Sequence, residues 1–450
     1  MLSGVHRPGS SRQFRGLVGL ACVLMALVAG MPPALALTVE PIVSAKGIKA
    51  WLVEEHSVPL IAMKFAFVGG AAQDPRGKEG LAGMVADMLT EGAGDLSAAA
   101  FKQQLSQLGA RLSVSGGRDA IYGGLETLSK RFAPSAELLR LALTAPHFDA
   151  EAIDRVRAQS LTNLALAANE ATTLALNRWY AEAFAGSAYG RPINGTPESV
   201  ASLTRDDVKS QYARPFAKDV LKVVIVGDID RRAAAEALDS IFGGLPETAQ
   251  LTDVGSVEPR PLPAPVVIDK DFPLATAIFG LASLRGDHPD FPALQVLNHI
   301  IGSGGFDSRL MEEVRVKRGL AYSIKTSLIR DSMTSLVLGG FSTKNENMGA
   351  VLGVLRDVLA GMARDGPTPS QFENAKRYLM GSFLLDFDTS AKVASSLLRL
   401  WLDGEGTDYL LTRNQKIDRV TLSDAKRVAG EVLEIDRLIV TIVGRPKFGP

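Results

Sequence analysis

Two hydrophobic patterns alternate along this chain, and each predicts its own kind of element. Leu60 to Val68, Val223 to Gly227, Leu274 to Leu281 and Ile439 to Gly444 are nearly continuous apolar runs of strand length. Leu81, Met84, Val85, Met88 and Leu89 instead recur at spacings of three and four, as do Leu294, Leu297 and Ile301, which is the buried stripe of a helix. Ala110 to Ser115 with Ala120 to Thr127, and Ala321 to Ile329 with Met333 to Phe341, supply a further strand pair in each half. Each half thus reads as two strands, two helices, two strands, a run of helices and a strand, with one more helix closing the first. Adjacent strands followed by blocks of helices predict an α+β fold: two homologous domains, each a mixed, mostly antiparallel sheet with helices packed on one face.

The halves also repeat in detail. Leu-Thr-Arg-Asp-Asp-Val-Lys at 203–209 opens a helix leading to the strand that ends at Gly227, and Val-Thr-Leu-Ser-Asp-Ala-Lys at 420–426 leads likewise to Gly444. Thr204 to Gly227 and Thr421 to Gly444 are both 23 positions, an interval that predicts two copies of one domain. Prolines at 246, 259, 261, 263 and 265 mark the join as an extended linker. The expected domains are 37–245 and 264–450, with the linker at 246–263.

At 450 residues, 46% apolar and 22% charged, the chain has the composition of a globular protein with more than one core. Forty-nine basic side chains balance forty-nine acidic ones, so charge gives no reason to expect nucleic acid or an anionic membrane as partner. Residues 1–36 read as an export signal. Arg7, Arg12 and Arg15 precede an apolar run from Gly16 to Gly30, and Ala34-Leu35-Ala36 is a small-residue cleavage site. The run is shorter than the roughly twenty residues a spanning helix needs. Cleavage after Ala36 removes those three arginines and Cys22, the only cysteine, leaving 46 bases against 49 acids. A large exported chain without disulfides points to a bacterial periplasm, with no membrane attachment once the signal is gone.

Two segments resemble a known family. Gly80-Leu81-Ala82-Gly83-Met84-Val85-Ala86-Asp87-Met88-Leu89 resembles the helix carrying the inverted zinc motif of pitrilysin-type peptidases, the group of insulin-degrading enzyme and the mitochondrial processing peptidase. Arg315-Val316-Lys317-Arg318-Gly319-Leu320-Ala321-Tyr322-Ser323 resembles the signature of their second domain. The spacing H-x-x-E-H sets two imidazoles one helical turn apart on one zinc, with the glutamate beside the metal-bound water. Here Gly83 and Asp87 stand in the histidine positions and Ala86 in that of the general base. The family's third ligand is a later glutamate, yet Arg155 to Asn169 holds no carboxylate. No metal is expected in this chain.

The histidines do not replace these ligands. His56, beside Glu54 and Glu55, reads as part of a solvated turn, His288 before Pro289 as a capping residue, and His299 as an ordinary helical histidine; none pairs with another or with His147 at ligand spacing. The second segment is intact. Gly302-Ser303-Gly304-Gly305 ends one helix and lacks the Gly-Lys-Ser/Thr ending of a phosphate loop. Asp307 or Ser308 can cap the next helix, expected to run to Arg318 and stop at Gly319, after which Leu320 to Ile324 alternates as a strand. By resemblance, Arg315 and Tyr322 would reach across to a zinc site and hold the peptide carbonyl and its oxyanion.

The expected function is therefore the non-catalytic subunit of a periplasmic zinc endopeptidase. A homologous catalytic subunit would form the heterodimer, supply the zinc and receive Arg315 and Tyr322 in trans to cleave peptides. The alternative is a catalytically inert peptide-binding or scaffold protein of the same fold; a self-sufficient peptidase using other residues is the remaining possibility.

Overall fold

In a computed structural model describing residues 38–448, the apolar runs become the central strands of two sheets. The signal segment 1–36 expected from the sequence, Cys22 included, lies outside those residues. The first sheet has the order Glu40–Val43, Lys49–Glu54, Leu221–Gly227, Leu60–Val68, Ala120–Leu128, Arg111–Gly116. Only Lys49–Glu54 and Leu221–Gly227 run parallel. The second runs Ala321–Arg330, Ser335–Thr343, Ala275–Ala282, Ile439–Val443, Val266–Ile268, with the last pair parallel. Written from opposite ends, the two orders coincide, and the first sheet adds one edge strand, Glu40–Val43, that the sequence reading did not count.

The repeat extends to single hydrogen bonds. Thr204 and Thr421 each accept from the backbone N–H three residues on, at Asp207 and Asp424, whose carboxylates reach back to the cap in a reciprocal box. The matching strands close on Gly227, the last residue of one, and Gly444, the residue after the other, both at φ +137°. A Cβ at Gly227 would lie 2.1 Å from the Leu60 carbonyl oxygen, so both the dihedral and the space require glycine there.

Each half packs its own helices over one face of its sheet. Phe65, Phe67, Met63 and Ile225 meet Leu81, Val85 and Leu139 in the first core. Phe279, Phe341 and Val440 meet Leu294, Leu355 and Val428 in the second. The opposite faces are closed by exchange. Helix Ala171–Ala183 of the first half lies on Ala275–Ala282 and Ile439–Val443 of the second. There Trp179 is buried against Ile278, Leu336 and Val443, and its indole N–H donates to the Ile439 carbonyl at 3.2 Å. Gly280 makes room, since a Cβ there would stand 2.7 Å from the Trp179 ring. Helix Ser390–Leu402 of the second half in turn covers Leu60–Val68 and Leu221–Gly227. Trp401 stacks on Trp51 at 4.8 Å, beside a strip of small buried residues that includes Ala62, Ala66 and Val224.

The proline-rich stretch between the halves is extended, without helix or strand, and it is pinned. Thr252 N donates to the Gln73 side chain at 2.7 Å, Val257 N to Met333 O and Arg260 N to Ala183 O. Together residues 39–448 form one compact unit. No helix among the described residues is long and apolar enough to cross a membrane.

Candidate functional site

Helix Leu81–Met88 is where the degraded motif lies. Asp74 opens it by accepting the N–H groups of Gly80, Leu81 and Ala82 at 3.0–3.1 Å, which satisfies otherwise orphaned donors. Leu81, Met84, Val85 and Met88 face the core, and Ala86 is buried with them. Edge strand Arg111–Gly116 runs so close that a Cβ on Gly116 would lie 2.8 Å from the Gly83 nitrogen. Asp87 points instead into a cavity of about 540 Å³, lined also by Thr90, Glu91, Lys102, Arg155 and Asn163.

That cavity does not fit zinc. Gly83 and Ala86 offer no donor, and burial, with Glu91 nearby, pushes the Asp87 carboxyl above its ordinary value. Glu91 accepts from Lys102 Nζ and Arg155 Nη2, both at 2.5 Å. Burial alone would raise the Glu91 pKa, but its two cationic donors hold it below the usual range. An ammonium and a guanidinium therefore sit beside the place where a divalent cation would need converging anions. No group of three or more His, Cys, Asp or Glu among the described residues could hold a metal ion.

The histidines lie where their surroundings need them. The exposed His56 bonds Asp228 at 2.8 Å, and His288 Nδ1 accepts from Asp290 N at the start of a helix. His299 is buried and stacked on Tyr378, its pKa lowered by burial. His147 holds the Gly94 carbonyl at 2.5 Å.

The second motif occupies a run of irregular backbone. Helix Phe291–Asn298 passes into a π turn, His299–Ser303, closed by Gly304 N bonding His299 O. A tight turn at Gly305–Asp307 leads to Arg309–Met311 and a second π turn, Glu312–Val316, where the sequence reading expected one regular helix. Gly319, at φ +60°, ends it. The strand that follows does not simply alternate. Ala321 pairs with Thr343 but Ile324 with Phe341, so one extra residue forms a bulge holding Tyr322 and Ser323. Both face outward, and Tyr322 is 80% exposed. Bulges and π turns re-aim side chains that regular periodicity would bury or misdirect.

Arg315 and Tyr322 come together, with the guanidinium 4.2 Å from the phenol ring centroid. Phe306, absent from the sequence reading, lies 4.7 Å from the same guanidinium. Its one sequence signal is a large aromatic directly after a glycine turn, on no apolar stripe. The cluster presents several N–H donors and one phenol O–H to solvent, a set suited to holding a carbonyl oxygen or oxyanion. No hydrogen bond, ion pair or ring contact among the described residues joins this cluster to the cavity at Asp87, whose lining comes wholly from the first half.

A family model described as insulinase (peptidase family M16) matches residues 52–197, and one described as peptidase M16 inactive domain matches 202–379. The chain is similar to a Helicobacter pylori protein called "Non-peptidase homolog YmxG", 27% identical over 429 residues, covering 95% of this chain and 98% of that one. It is 23% identical over 368 residues to the "Mitochondrial-processing peptidase subunit beta" of Lentinula edodes, covering 79% and 78%. The fold matches the structure of a peptidase M16 inactive domain from Pseudomonas fluorescens at a TM-score of 0.85 and 24% identity, covering 91% of this chain and 98% of that one. With the two family models together spanning most of the chain, and the fold and motif helix as described, the chain belongs to the insulinase (M16) peptidase family.

Proposed function

We propose that this chain, freed of its first 36 residues on export to the periplasm, is the non-catalytic subunit of a heterodimeric zinc endopeptidase. A homologous subunit with an intact H-x-x-E-H helix would carry the zinc. Arg315 and Tyr322 would enter that site from this chain, hydrogen-bond the scissile peptide carbonyl and stabilise its oxyanion. One observation carries the reading: Arg315 is presented with Tyr322 on exposed, irregular backbone, while the chain's own zinc-motif positions cannot hold the metal such a pair would serve. A relative whose name makes it one subunit of a processing peptidase is consistent with function as part of a pair.

The test is reconstitution. The chain and the family member with the zinc motif from the same organism are purified and mixed, and peptide cleavage is followed. Wild-type chain should raise the partner's turnover, whereas Arg315→Ala/Tyr322→Phe should lower kcat/KM about 100-fold, the scale of losing oxyanion donors. Metal analysis should find zinc with the partner and none with this chain. Equal activity from wild type and variant would remove the role assigned to the pair.

A second reading rests on the cavity at Asp87, which persists at about 540 Å³ beside a free strand edge although the ligands are gone. Under that reading the chain binds peptides without any catalytic complex. Peptide binding by the isolated chain, with no stimulation of a zinc-bearing partner, would favour it.

A further inference from the structure

The segment from Arg309 to Arg318 carries four cations, Arg309, Arg315, Lys317 and Arg318, against two carboxylates, Glu312 and Glu313. Lys317 Nζ lies 2.9 Å from Glu312 and 2.7 Å from Glu313, Arg318 lies 2.6 Å from Glu313, and Arg309 lies 3.9 Å from Glu312. Arg315 is the only one of the four without an ion pair among the described residues. Glu312 opens the π turn, so Lys317, five positions on, meets it, and Arg315, three positions on, does not. The partners that Arg315 does have are aromatic. The Arg315 guanidinium lies 4.2 Å from the Tyr322 ring centroid and 4.7 Å from that of Phe306. Phe306 is 63% exposed and serves no core. The turn after Gly305, at φ +61°, is what brings it out.

We propose that Phe306 is a positioning residue. Its ring holds the Arg315 guanidinium beside Tyr322, leaving the N–H donors for an oxygen from outside the chain. A guanidinium on an aromatic face keeps its in-plane donors free, which a carboxylate partner would consume. That the outside oxygen is a scissile carbonyl rests on the function proposed above; the clamp itself does not.

The experiment has two arms. In the first, the full chain labelled with ¹⁵N-arginine is examined by NMR, and the Arg315 Nε–Hε signal is identified by its loss in Arg315→Lys. Ring currents should displace that signal in wild type. Phe306→Leu, which keeps apolar bulk without a ring, should return it toward the exposed-arginine position, and Phe306→Tyr should restore the displacement. Thermal midpoints should stay unchanged, since the ring is outside both cores. In the second arm, with the zinc-bearing partner, Phe306→Leu should lower kcat/KM about tenfold and Phe306→Tyr should stay within about twofold. A Phe306→Leu signal that stays at the wild-type position overturns the clamp. Full kcat/KM for Phe306→Leu when Arg315→Ala is impaired overturns the positioning role. If the signal moves as expected but Arg315→Ala leaves turnover untouched, the clamp stands and the trans-acting function falls.

Discussion

Gly227 and Gly353 show how position decides what a glycine contributes. Gly227 has φ +137° and no room for a Cβ against the Leu60 carbonyl, whereas Gly353 lies in helix Met348–Asp365 with nothing within 4 Å of the Cβ it lacks. Gly227→Ala should therefore destabilise by about 3 kcal/mol or more through strain and collision. Gly353→Ala should stabilise by about 0.5–1 kcal/mol, by removing backbone freedom from the unfolded chain. Urea midpoints of the two variants check both signs at once. Gly227 was legible because the 23-position interval pairs it with Gly444. The bulge at Tyr322 and the π turn at Arg315 were not, since hydrophobic periodicity reports regular geometry and these residues depart from it.

At the scale of elements, the exchanged helices are the least expendable parts. Trp179 is fully buried between helix Ala171–Ala183 and a sheet of the other half, with its one polar atom satisfied by Ile439. Trp179→Ala should cost about 3–5 kcal/mol, the range for emptying a large aromatic site. The loss should appear as a lower denaturation midpoint with faster hydrogen exchange along Ala275–Ala282 and Ile439–Val443. A midpoint within 1 kcal/mol of wild type would mean that the helix does not hold that face. The helix itself could be read from its sequence, but a stripe of apolar residues does not say which sheet it will meet. The near-continuous apolar character of Val223–Val226 and Ile439–Val443 did carry the complementary hint, since such strands are covered on both faces.

Across the whole molecule the halves also meet through charge. Between them lies a cavity of about 920 Å³ lined in part by Arg118, Asp119, Tyr122, Arg330, Asp331 and Arg399. Asp119 accepts the Ser332 N–H at 2.7 Å and Asp331 accepts from Tyr180 at 3.4 Å, each across the junction. Burial, with Asp119 adding to it, pushes the Asp331 carboxyl up to about 6. The folded chain then keeps a proton between about pH 4 and 6 that the unfolded chain has released. This group's contribution to stability grows as pH falls through 6 and levels off below about 4. Asp331→Asn removes the titration, so its urea midpoint relative to wild type should change between pH 7 and pH 5; a separation that stays constant would assign the titration elsewhere. No part of this junction was legible in the sequence, because each charge finds its partner only after two domains have been placed.

The exchange of helices also imposes an order of events on synthesis. The last strand of the first sheet ends at Gly227, but helix Ser390–Leu402, which covers that sheet's far face, begins 163 positions later. A growing chain delivers its N-terminal domain first. For the time it takes to make those further residues, Trp51, Ala62, Ala66 and Val224 have no cover of their own. The first half must wait incomplete for the second, and whatever shields that surface meanwhile, holding factor or unfolded transit, is as much a requirement of this fold as its cores.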